Sequence, residues 1–403
     1  MNPAQKTPLV FTKEFTRQEP IPEEGISRAL ELMRSGRLHR YNTAAGETSD
    51  VALLEKEYAD YVGAKYCAAF SSCGSALYVA LKSVGVTPGD AVLCNAFTLA
   101  PVPGAIVNAG AKVVLVDITP DLVVDLDDLE RKAESSGARF LMLSHMRGHI
   151  ADLDRVVEVC KQNDVCLIED CAHTVGCRWG ERATGTFGTV GCYSTQTYKH
   201  LNSGEGGLLV TDDEDVIARA ILYSGSYMLY ETHAARPPME VFERYKKQIP
   251  NFSLRMTNLS AALIRPQLIS LDAQARRWNR RYAVLETLLA TIPQVRLPRR
   301  PPEEHYVGSS IQFTLPTVNR TQIQDFLRLC AERGVEIKWF GGSEPVGFTS
   351  AFDSWTYIEE MPALPQTKAI LDVMCDFRIP LTFSLDDCEL IGKIIREAAA
   401  EVF

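Results

Sequence analysis

The amino-acid sequence predicts an α/β protein, with a mostly parallel sheet in a large domain and a smaller α+β domain at its C-terminal end. Short apolar segments alternate with amphipathic helical segments between Tyr66 and Thr211, and this alternation is typical of a parallel sheet covered by helices on both faces. The chain has 403 residues, which makes it longer than a domain with a single hydrophobic core usually is. Two domains are therefore expected.

Two helices are expected before the first strand. Residues 21–35 carry apolar side chains at helical spacing, and Gly36 offers a stop for that helix. After an irregular connection, Ser49 is a plausible N-cap for a second helix that ends at Gly63. We assign residues 1–40 to an N-terminal segment that packs with the small domain.

The large domain is assigned to residues 41–255, and seven apolar segments within it are predicted as strands. In open α/β sheets the ligand binds beyond the carboxyl ends of the strands, so polar residues at those ends are candidates for the functional site. The seven segments are Tyr66–Phe70, Ala91–Cys94, Lys112–Val116, Arg139–Ser144, Val165–Ile168, Gly191–Ser194 and Gly207–Thr211.

A long helical region at about 256–292 leads out of the large domain, and residues 256–296 are assigned as the connecting helix. A segment rich in proline and arginine then marks a boundary, and the small domain is assigned to residues 297–403. Its predicted elements are strands at 309–315 and 335–339 and helices at 321–333 and 385–402.

Composition limits the classes of function. The chain is 46% hydrophobic and 23% charged, as in ordinary soluble globular proteins. The formal net charge of −9 argues against binding to nucleic acid or to an anionic membrane. No run of about 18 apolar residues is present for a membrane span, and the first residues lack the apolar core of a signal peptide. We expect a cytoplasmic protein with reduced cysteines.

One lysine stands in an unusual setting in residues 191–207. Lys199 follows Ser194 and Gln196, which could donate hydrogen bonds to a phosphate, and it precedes a glycine-rich turn that allows close backbone approach. A lysine becomes a nucleophile at neutral pH when burial and its neighbours favour the neutral amine. The pattern is that of a Schiff-base lysine; considered alone, it also fits an ordinary solvated loop lysine.

Two further stretches could face the same place. Residues 71–77 join a strand to a helix, so the backbone N–H groups at that helix start could hold an anion such as a phosphate. Phe97 follows the next strand and could stack on a flat heteroaromatic ring. The alternatives are an ordinary capped helix and an ordinary core aromatic residue.

Asp170 follows an apolar strand, where a carboxylate is costly unless a cation matches it. A protonated pyridine nitrogen is such a cation, and it is what makes pyridoxal 5′-phosphate (PLP) an electron sink. The alternative role for Asp170 is to cap a helix.

Together these stretches resemble the PLP-dependent sugar aminotransferases of the DegT/StrS type, which have the aspartate-aminotransferase-like fold (PLP-transferase fold type I). The resemblance runs from about residue 25 to residue 290 and thins after residue 300. It is carried by Phe70–Leu77, Phe97-Thr98, His145–Gly148 with Asp152-Leu153, Glu169–His173, Ser194–Gly207, Asn251–Met256 and Ala261-Ala262.

The resemblance implies a role for each matching residue. Lys199 would form the internal aldimine with PLP and then shuttle the proton, Asp170 would pair with the pyridine nitrogen, and Phe97 would stack on the ring. His173 would lie near the 3-oxygen of the cofactor, and Asn251 would reach the phosphate held by the neighbouring subunit of a homodimer with shared active sites. The phosphate itself would be held by Gly74, Ser75, Ser194 and Gln196.

The chain departs from the family pattern at the phosphate turn, which usually reads Ser-Gly-Thr and here reads Cys73-Gly74-Ser75. His145 and His149 have the spacing of a metal pair on a helix, but Gly148 interrupts any helix and no third ligand is evident. We therefore expect no metal. For Asn251 the alternative role is to cap the helix that follows it.

The implied activity is transamination through a pyridoxamine phosphate intermediate. An amino group would move from an amino acid, glutamate or glutamine, to a keto- or aldehyde-sugar-like acceptor. The alternatives are an enzyme of the same fold that acts on a non-sugar keto compound, a PLP-dependent deoxysugar dehydratase, and a non-enzymatic regulator. Related dehydratases carry histidine in place of the lysine, so Lys199 favours transamination. A regulator would need an attached DNA-binding module, which the first 40 residues do not supply.

Overall fold

The computed structural model describes residues 8–344 and 351–403. Its helices are α1 (Glu23–Ser35), α2 (Asp50–Val62), α3 (Cys73–Ser83), α4 (Pro101–Asn108), α5 (Leu126–Ser136), α6 (Leu153–Gln162), α7 (Glu214–Tyr223), α8 (Met239–Tyr245), α9 (Asn258–Leu289), α10 (Arg320–Glu332), α11 (Pro365–Leu371) and α12 (Leu385–Val402).

The strands are β1 (Tyr66–Phe70), β2 (Ala91–Asn95), β3 (Lys112–Val116), β4 (Phe140–Ser144), β5 (Cys166–Asp170), β6 (Arg178–Trp179), β7 (Arg182–Ala183), β8 (Val190–Ser194), β9 (Gly207–Thr211), β10 (Glu304–His305), β11 (Ser310–Thr314), β12 (Lys338–Trp339) and β13 (Met374–Arg378).

The α/β fold is confirmed by a seven-stranded sheet in the order β1-β9-β8-β5-β4-β2-β3. Strand β9 runs antiparallel to both of its neighbours, and the other pairs are parallel. Most of its residues are buried, as expected where helices cover both faces of a sheet. All seven predicted strands are present, with ends that differ by at most two residues.

The predicted stops of the first two helices and the predicted N-cap of the second are also confirmed, whereas the first helix begins at Glu23, two residues later than predicted. The Ser49 side chain accepts a hydrogen bond from the backbone N–H of Ala52 at the start of α2. Helices α1 and α2 end at Gly36 and Gly63, whose φ angles of 72° and 77° lie in the left-handed region that glycine adopts without steric cost.

The C-terminal part contains a second sheet in the antiparallel order β11-β13-β12. Helices α10 and α12 pack beside it in one apolar core, and Phe11 and Phe15 from the N-terminal segment join that core. Helix α1 instead packs against α9. The predicted strand at 335–339 is shorter than expected, since only Lys338 and Trp339 pair with β13.

Several elements were not predicted. Strand β13 is the centre of the C-terminal sheet, and β10, β6 and β7 form a small antiparallel sheet of two-residue strands. The domain limits at 1–40, 41–255, 256–296 and 297–403 stay predictions, and residues 1–7 lie outside the described residues. Among the helices that the structure describes, none is both long and apolar enough to span a membrane.

The strand register places several polar residues at one edge of the large sheet. Ser144 pairs with Asp170 across β4 and β5, and Ser194 pairs with Gly207 across β8 and β9. Gly207 also pairs with Phe70 at the end of β1. Because β9 is antiparallel, its first residue lies at the edge where the parallel strands end. The residues that follow these strand ends form the candidate site.

Candidate active site

Asp170 is the last residue of β5, and it is only 3% exposed. One carboxylate oxygen accepts a hydrogen bond of 2.7 Å from the Ser144 hydroxyl, and the other accepts one of 3.1 Å from the backbone N–H of Ala172. No helix begins after Asp170, so the alternative in which it caps a helix is wrong. The two hydrogen bonds hold an anionic side chain at the carboxyl end of a central strand.

Lys199 lies in the turn between β8 and β9, and its Nζ is 3.0 Å from Nε2 of His173. Burial, together with the positive charge of Arg147, lowers the pKa of Lys199 to about 8, against the opposing effect of Asp170. Burial and the nearby Lys199 likewise hold the pKa of His173 well below its ordinary value. A neutral imidazole therefore faces an amine that can lose its proton near neutral pH.

The start of α3 leaves two backbone donors available. The Ser72 side chain accepts from the N–H of Ser75 at 3.1 Å, and the Ser72 carbonyl accepts from the N–H of Ala76 at 3.1 Å. The N–H groups of Cys73 and Gly74 have no intrahelical partner because they belong to the first turn. A Cβ on Gly74 would meet only the Ser72 hydroxyl, at 3.9 Å. The turn thus presents an open, donor-rich face with a positive helix dipole.

Gly207 brings this turn against the end of β8. A Cβ on Gly207 would lie 2.4 Å from the carbonyl oxygen of Ser72, so only glycine permits this approach. The neighbouring Ser194 is buried, and its hydroxyl accepts from the N–H of Gln196 at 3.3 Å. The Gln196 side-chain oxygen accepts from the N–H of Tyr198 at 3.0 Å. Ser194 and Gln196 therefore lie in a folded turn beside the free N–H groups of α3.

Phe97 is fully buried just beyond β2. The Asn95 side chain fixes the loop that carries it, donating 3.0 Å bonds to the carbonyls of Phe97 and Ser144 and accepting from the N–H of Ser144 at 2.8 Å. The Phe97 ring meets Phe340 edge-on, with ring centres 5.7 Å apart. Its position is thereby held by both the large sheet and the C-terminal part.

Asn251 is exposed, unlike the other candidates. Within the described part of the chain, its side chain makes one hydrogen bond, of 3.5 Å, to the carbonyl of Ile249. Helix α9 begins at Asn258 and is capped by Thr257, so the alternative in which Asn251 caps that helix is wrong. The same segment runs past the α3 turn, because the carbonyl of Leu254 accepts from the N–H of Ser71 at 2.7 Å.

His145 and His149 do not converge on one point. His145 Nε2 is 3.1 Å from Glu169, whose carboxylate also accepts from the backbone N–H groups of residues 185, 187 and 188. His149 Nε2 is 2.8 Å from the Gln312 side chain. Cys171 lies close to His145 and Glu169, but the carboxylate already has its hydrogen-bond partners. Each histidine has a partner that explains its burial.

Sequence reasoning missed three residues that face the site. Ser144 orients Asp170. Ser144 is the last residue of a predicted strand, and that position was a usable signal for a site residue. Arg147 lies in the segment His145–Gly148, for which the family resemblance implies no role, and Arg378 lies on the unpredicted strand β13. Both arginines line a cavity of about 30 Å³ that Lys199 and His173 also line.

The donor set fits PLP. Two free N–H groups at a helix start suit its phosphate, a buried carboxylate suits its protonated ring nitrogen, and the amine of Lys199 suits its aldehyde. The open face at Gly74 leaves space for the phosphate beside the helix start.

Comparison with known proteins identifies the relatives of this chain. The model of the DegT/DnrJ/EryC1/StrS aminotransferase family matches residues 21–396. The chain is 30% identical over 277 residues to the spore coat polysaccharide biosynthesis protein SpsC of Bacillus subtilis, with 68% of each chain covered. It is 30% identical over 328 residues to L-glutamine:2-deoxy-scyllo-inosose aminotransferase of Streptomyces kanamyceticus, which covers 79% of this chain and 75% of that protein.

The fold is shared with solved structures. The PLP form of the putative sugar aminotransferase Spr1654 from Streptococcus pneumoniae superimposes with a TM-score of 0.81 at 18% identity. The superposition covers 98% of this chain and all of that one. At this identity the likeness establishes the fold, which is PLP-transferase fold type I.

Proposed function

The chain belongs to the DegT/DnrJ/EryC1/StrS aminotransferase family, a family of PLP-dependent transaminases, and from that premise we propose that it aminates a sugar-like acceptor at the site around Lys199. The observation that carries the proposal is the contact of 3.0 Å between Lys199 Nζ and the neutral His173 ring, at the same sheet edge as Asp170. We propose glutamate or glutamine as the donor and a ketone or aldehyde as the acceptor.

Different residues would bind different parts of PLP. PLP, when bound, supplies an electron sink that stabilises negative charge at the carbon next to the transferred nitrogen. Asp170 would keep its ring nitrogen protonated, since Ser144 and Ala172 hold that carboxylate in place. The first turn of α3 at Gly74 and Ser75, with Ser194 and Gln196 beside it, would hold the phosphate. Phe97 would cover one face of the ring.

Lys199 would move the proton. Its pKa of about 8 allows Nζ to take up and release a proton near neutral pH, and general acid–base catalysis is most effective when the pKa lies near the working pH. His173, which burial keeps neutral, can accept a hydrogen bond from the ammonium form of Lys199. The presence of this amine favours transamination over the dehydratase chemistry of related enzymes that have a histidine there.

The proposed substrates come from the relatives. The name of the Streptomyces kanamyceticus protein gives L-glutamine as donor and a cyclic polyol ketone as acceptor. The Bacillus subtilis protein is named for polysaccharide biosynthesis. A polyhydroxylated ring ketone or aldehyde is therefore the class of acceptor that we propose.

A homodimer with shared active sites is proposed on two features. Helix α1 leaves a stripe of apolar side chains exposed, with Ile26 37%, Leu30 41% and Met33 51% accessible, and such a stripe is typical of a surface covered by another chain. Asn251 is exposed and makes one long hydrogen bond within the described residues, so its amide is available to the phosphate held by a partner subunit. We also propose a cytoplasmic location, in keeping with eleven free cysteines.

A panel of acceptors tests the proposal. The holoenzyme is first converted to its amino form with glutamate or glutamine, the donor is removed, and keto-sugars, cyclic polyol ketones and keto acids are added singly while the PLP absorbance is followed. We expect a sugar-like ketone or aldehyde to restore the absorbance fastest. Restoration by simple keto acids alone would contradict the acceptor class. Asp170→Asn is the control, because it should retain the phosphate turn yet fail to convert.

A further inference from the structure

A buried histidine follows Lys199 directly in the chain, and the proposed function does not use it. His200 is 5% exposed, and it lines the small cavity that Lys199 and His173 also line. Because Lys199 and His200 are neighbours in the chain, whatever fixes the His200 ring also restricts the backbone from which the Lys199 side chain leaves. The partners of His200 therefore bear on the position of the reactive amine.

The first partner of His200 lies in the segment that carries His173. Nδ1 of His200 is 2.7 Å from the carbonyl oxygen of Val175, which lies two residues beyond His173. Since a carbonyl oxygen only accepts, Nδ1 carries the hydrogen of the neutral ring. Lys199 Nζ is 3.0 Å from His173 Nε2. The same two segments are therefore joined twice, once by the amine and once by the His200 ring.

The second partner of His200 is a hydroxyl group in the C-terminal part. Nε2 of His200 is 2.9 Å from Oγ of Ser309. Burial, together with the positive charge of Lys199, lowers the pKa of His200 to about 4, against the opposing effect of its bond to Val175. The ring is therefore neutral at neutral pH, so Nε2 accepts a hydrogen bond that the Ser309 hydroxyl donates. A neutral ring adds no charge beside the Lys199 amine.

The residues that hold the His200 ring are also bonded to one another. The Ser309 carbonyl accepts from the backbone N–H of Ile379 at 2.8 Å. The indole N–H of Trp278, on α9, donates to the carbonyl of Ile379 at 2.9 Å, and the Trp278 ring contacts His200 with ring centres 5.2 Å apart. The orientation of the His200 ring is therefore set by a connected group of residues outside the large sheet.

We propose that His200 is a positioning residue for Lys199. Its bond to Val175 holds the Lys199 amine against His173, and its bond to Ser309 fixes the ring that makes the first bond. The inference rests on the proposed function, because it takes Lys199 as the amine that reacts. A Lys199 side chain released from this place would spend more time in water, which raises its pKa. It would also adopt the orientation that attacks a carbonyl less often.

The reactivity of Lys199 in the cofactor-free protein tests the inference without any donor or acceptor. A trace of acetic anhydride acetylates the neutral amine, and mass spectrometry of the peptide gives the pH midpoint of the reaction. His200→Phe removes both bonds and keeps a ring against Trp278. We expect the Lys199 midpoint to rise by about one pH unit in this variant, and covalent binding of added PLP to slow about tenfold. The titratable groups around the amine stay unaltered, namely Cys73, Arg147, Asp170, His173 and Arg378.

Two further variants each remove one of the two bonds. His200→Asn keeps a side-chain N–H that can donate to Val175, so its Lys199 midpoint should lie closer to that of the unaltered protein than to that of His200→Phe. Ser309→Ala keeps the histidine and loses only the hydroxyl that fixes its ring. Its midpoint should rise in the same direction, by less than in His200→Phe.

Thr211→Val is the matched control, because it also removes a buried hydrogen bond to a backbone carbonyl. The Thr211 hydroxyl donates to the Thr189 carbonyl at 2.7 Å, at the edge of the large sheet opposite to the site. Its Lys199 midpoint should equal that of the unaltered protein. The inference is overturned if His200→Phe has the midpoint of this control, or if His200→Asn shifts the midpoint as far as His200→Phe does. If circular dichroism shows that His200→Phe does not fold, Ser309→Ala decides by the same comparison with the control.

A single-turnover measurement on the holoenzyme separates positioning from substrate binding. With glutamate or glutamine as donor, the maximal rate of conversion should fall about tenfold in His200→Phe, while the half-saturating donor concentration stays the same. A change in the half-saturating concentration alone would make His200 a substrate-binding residue and overturn the inference. Failure of every donor to convert the unaltered holoenzyme would instead refute the proposed function and leave the acetylation midpoints valid.

Discussion

At the scale of single residues, the site depends on what burial does to Lys199. Removing a charged amine from water costs free energy, and the neutral form suffers less. Arg147 adds repulsion, whereas Asp170 favours the charged form. The Lys199 amine is therefore hydrogen-bonded to a neutral His173 and changes its protonation near the pH of the cell.

The pKa of Lys199 predicts how its reactivity depends on pH. It is lowered from 10.5 to about 8, so the amine is protonated below pH 8 and becomes neutral above it. In the cofactor-free protein, acetylation of Lys199 by a trace of acetic anhydride should therefore rise with pH to a plateau, with its midpoint near 8. Mass spectrometry of the peptide measures this rate. A midpoint near 10.5 would show that burial does not act on this amine.

At the scale of elements, the site depends on the contact between β9 and α3. The register sets Gly207 opposite Phe70 and Ser194, and the absence of a side chain lets the Ser72 backbone lie against it. That contact places the free N–H groups of the helix start beside the turn that carries Lys199. The phosphate turn is thus formed by two segments that are more than a hundred residues apart in the chain.

Gly207→Ala should displace the start of α3. The added Cβ would lie 2.4 Å from the Ser72 carbonyl oxygen, and such overpacking typically costs about 1–3 kcal/mol. We expect a lower melting temperature and PLP binding weakened by about tenfold or more, measured by fluorescence titration. Gly104→Ala is the control, since its Cβ would meet nothing within 4 Å in helix α4. Equal PLP affinity in the two variants would contradict the role of this contact.

The elements that the sequence predicts well are those whose signals are local. The Ser49 side chain bonds to the backbone of Ala52 three residues later, and Gly36 acts through its own φ angle. The apolar segments of the large sheet are continuous. Asp170 could be chosen because it stands at the end of such a strand, and Lys199 because it lies in the glycine-rich turn that follows one. Strand β13 was missed because Asp376 and Arg378 interrupt its apolar pattern. Asp376 pairs with Arg147 and Arg378 lies over the ring of Tyr198, and both partners are far away in the sequence. Long-range partners of this kind leave no local signal.

At the scale of the whole molecule, the site lies between two hydrophobic cores. The large sheet supplies Asp170, Lys199 and Phe97, and the C-terminal sheet brings Arg378 to the same cavity. Phe340 bridges them by its contact with Phe97. A substrate at Lys199 would touch both parts, so their relative position matters for catalysis.

The proposed homodimer predicts complementation between subunits. Lys199→Ala removes the reactive amine of its own site, and Asn251→Asp would impair the partner's site by repelling its phosphate. In a mixed dimer, one site combines an intact Lys199 with an intact Asn251 from the other subunit. With random mixing, about a quarter of normal activity should return, because about half of the dimers are mixed and each has one intact site of two. Subunit exchange is verified with a mass-tagged partner. If no activity returns despite proven exchange, Asn251 acts in the site of its own subunit or in no site.

The central claim is that Lys199 carries the cofactor, and borohydride reduction followed by peptide mapping tests it most directly. Reduction of the holoenzyme fixes a Schiff base irreversibly, so the labelled peptide identifies the lysine. Because Lys199 is the amine that lies beside His173 and responds to Asp170, we predict that the label is found on Lys199 and that Lys199→Ala abolishes it. A label on Lys338, a half-buried lysine whose pKa is also lowered to about 8, would contradict the account.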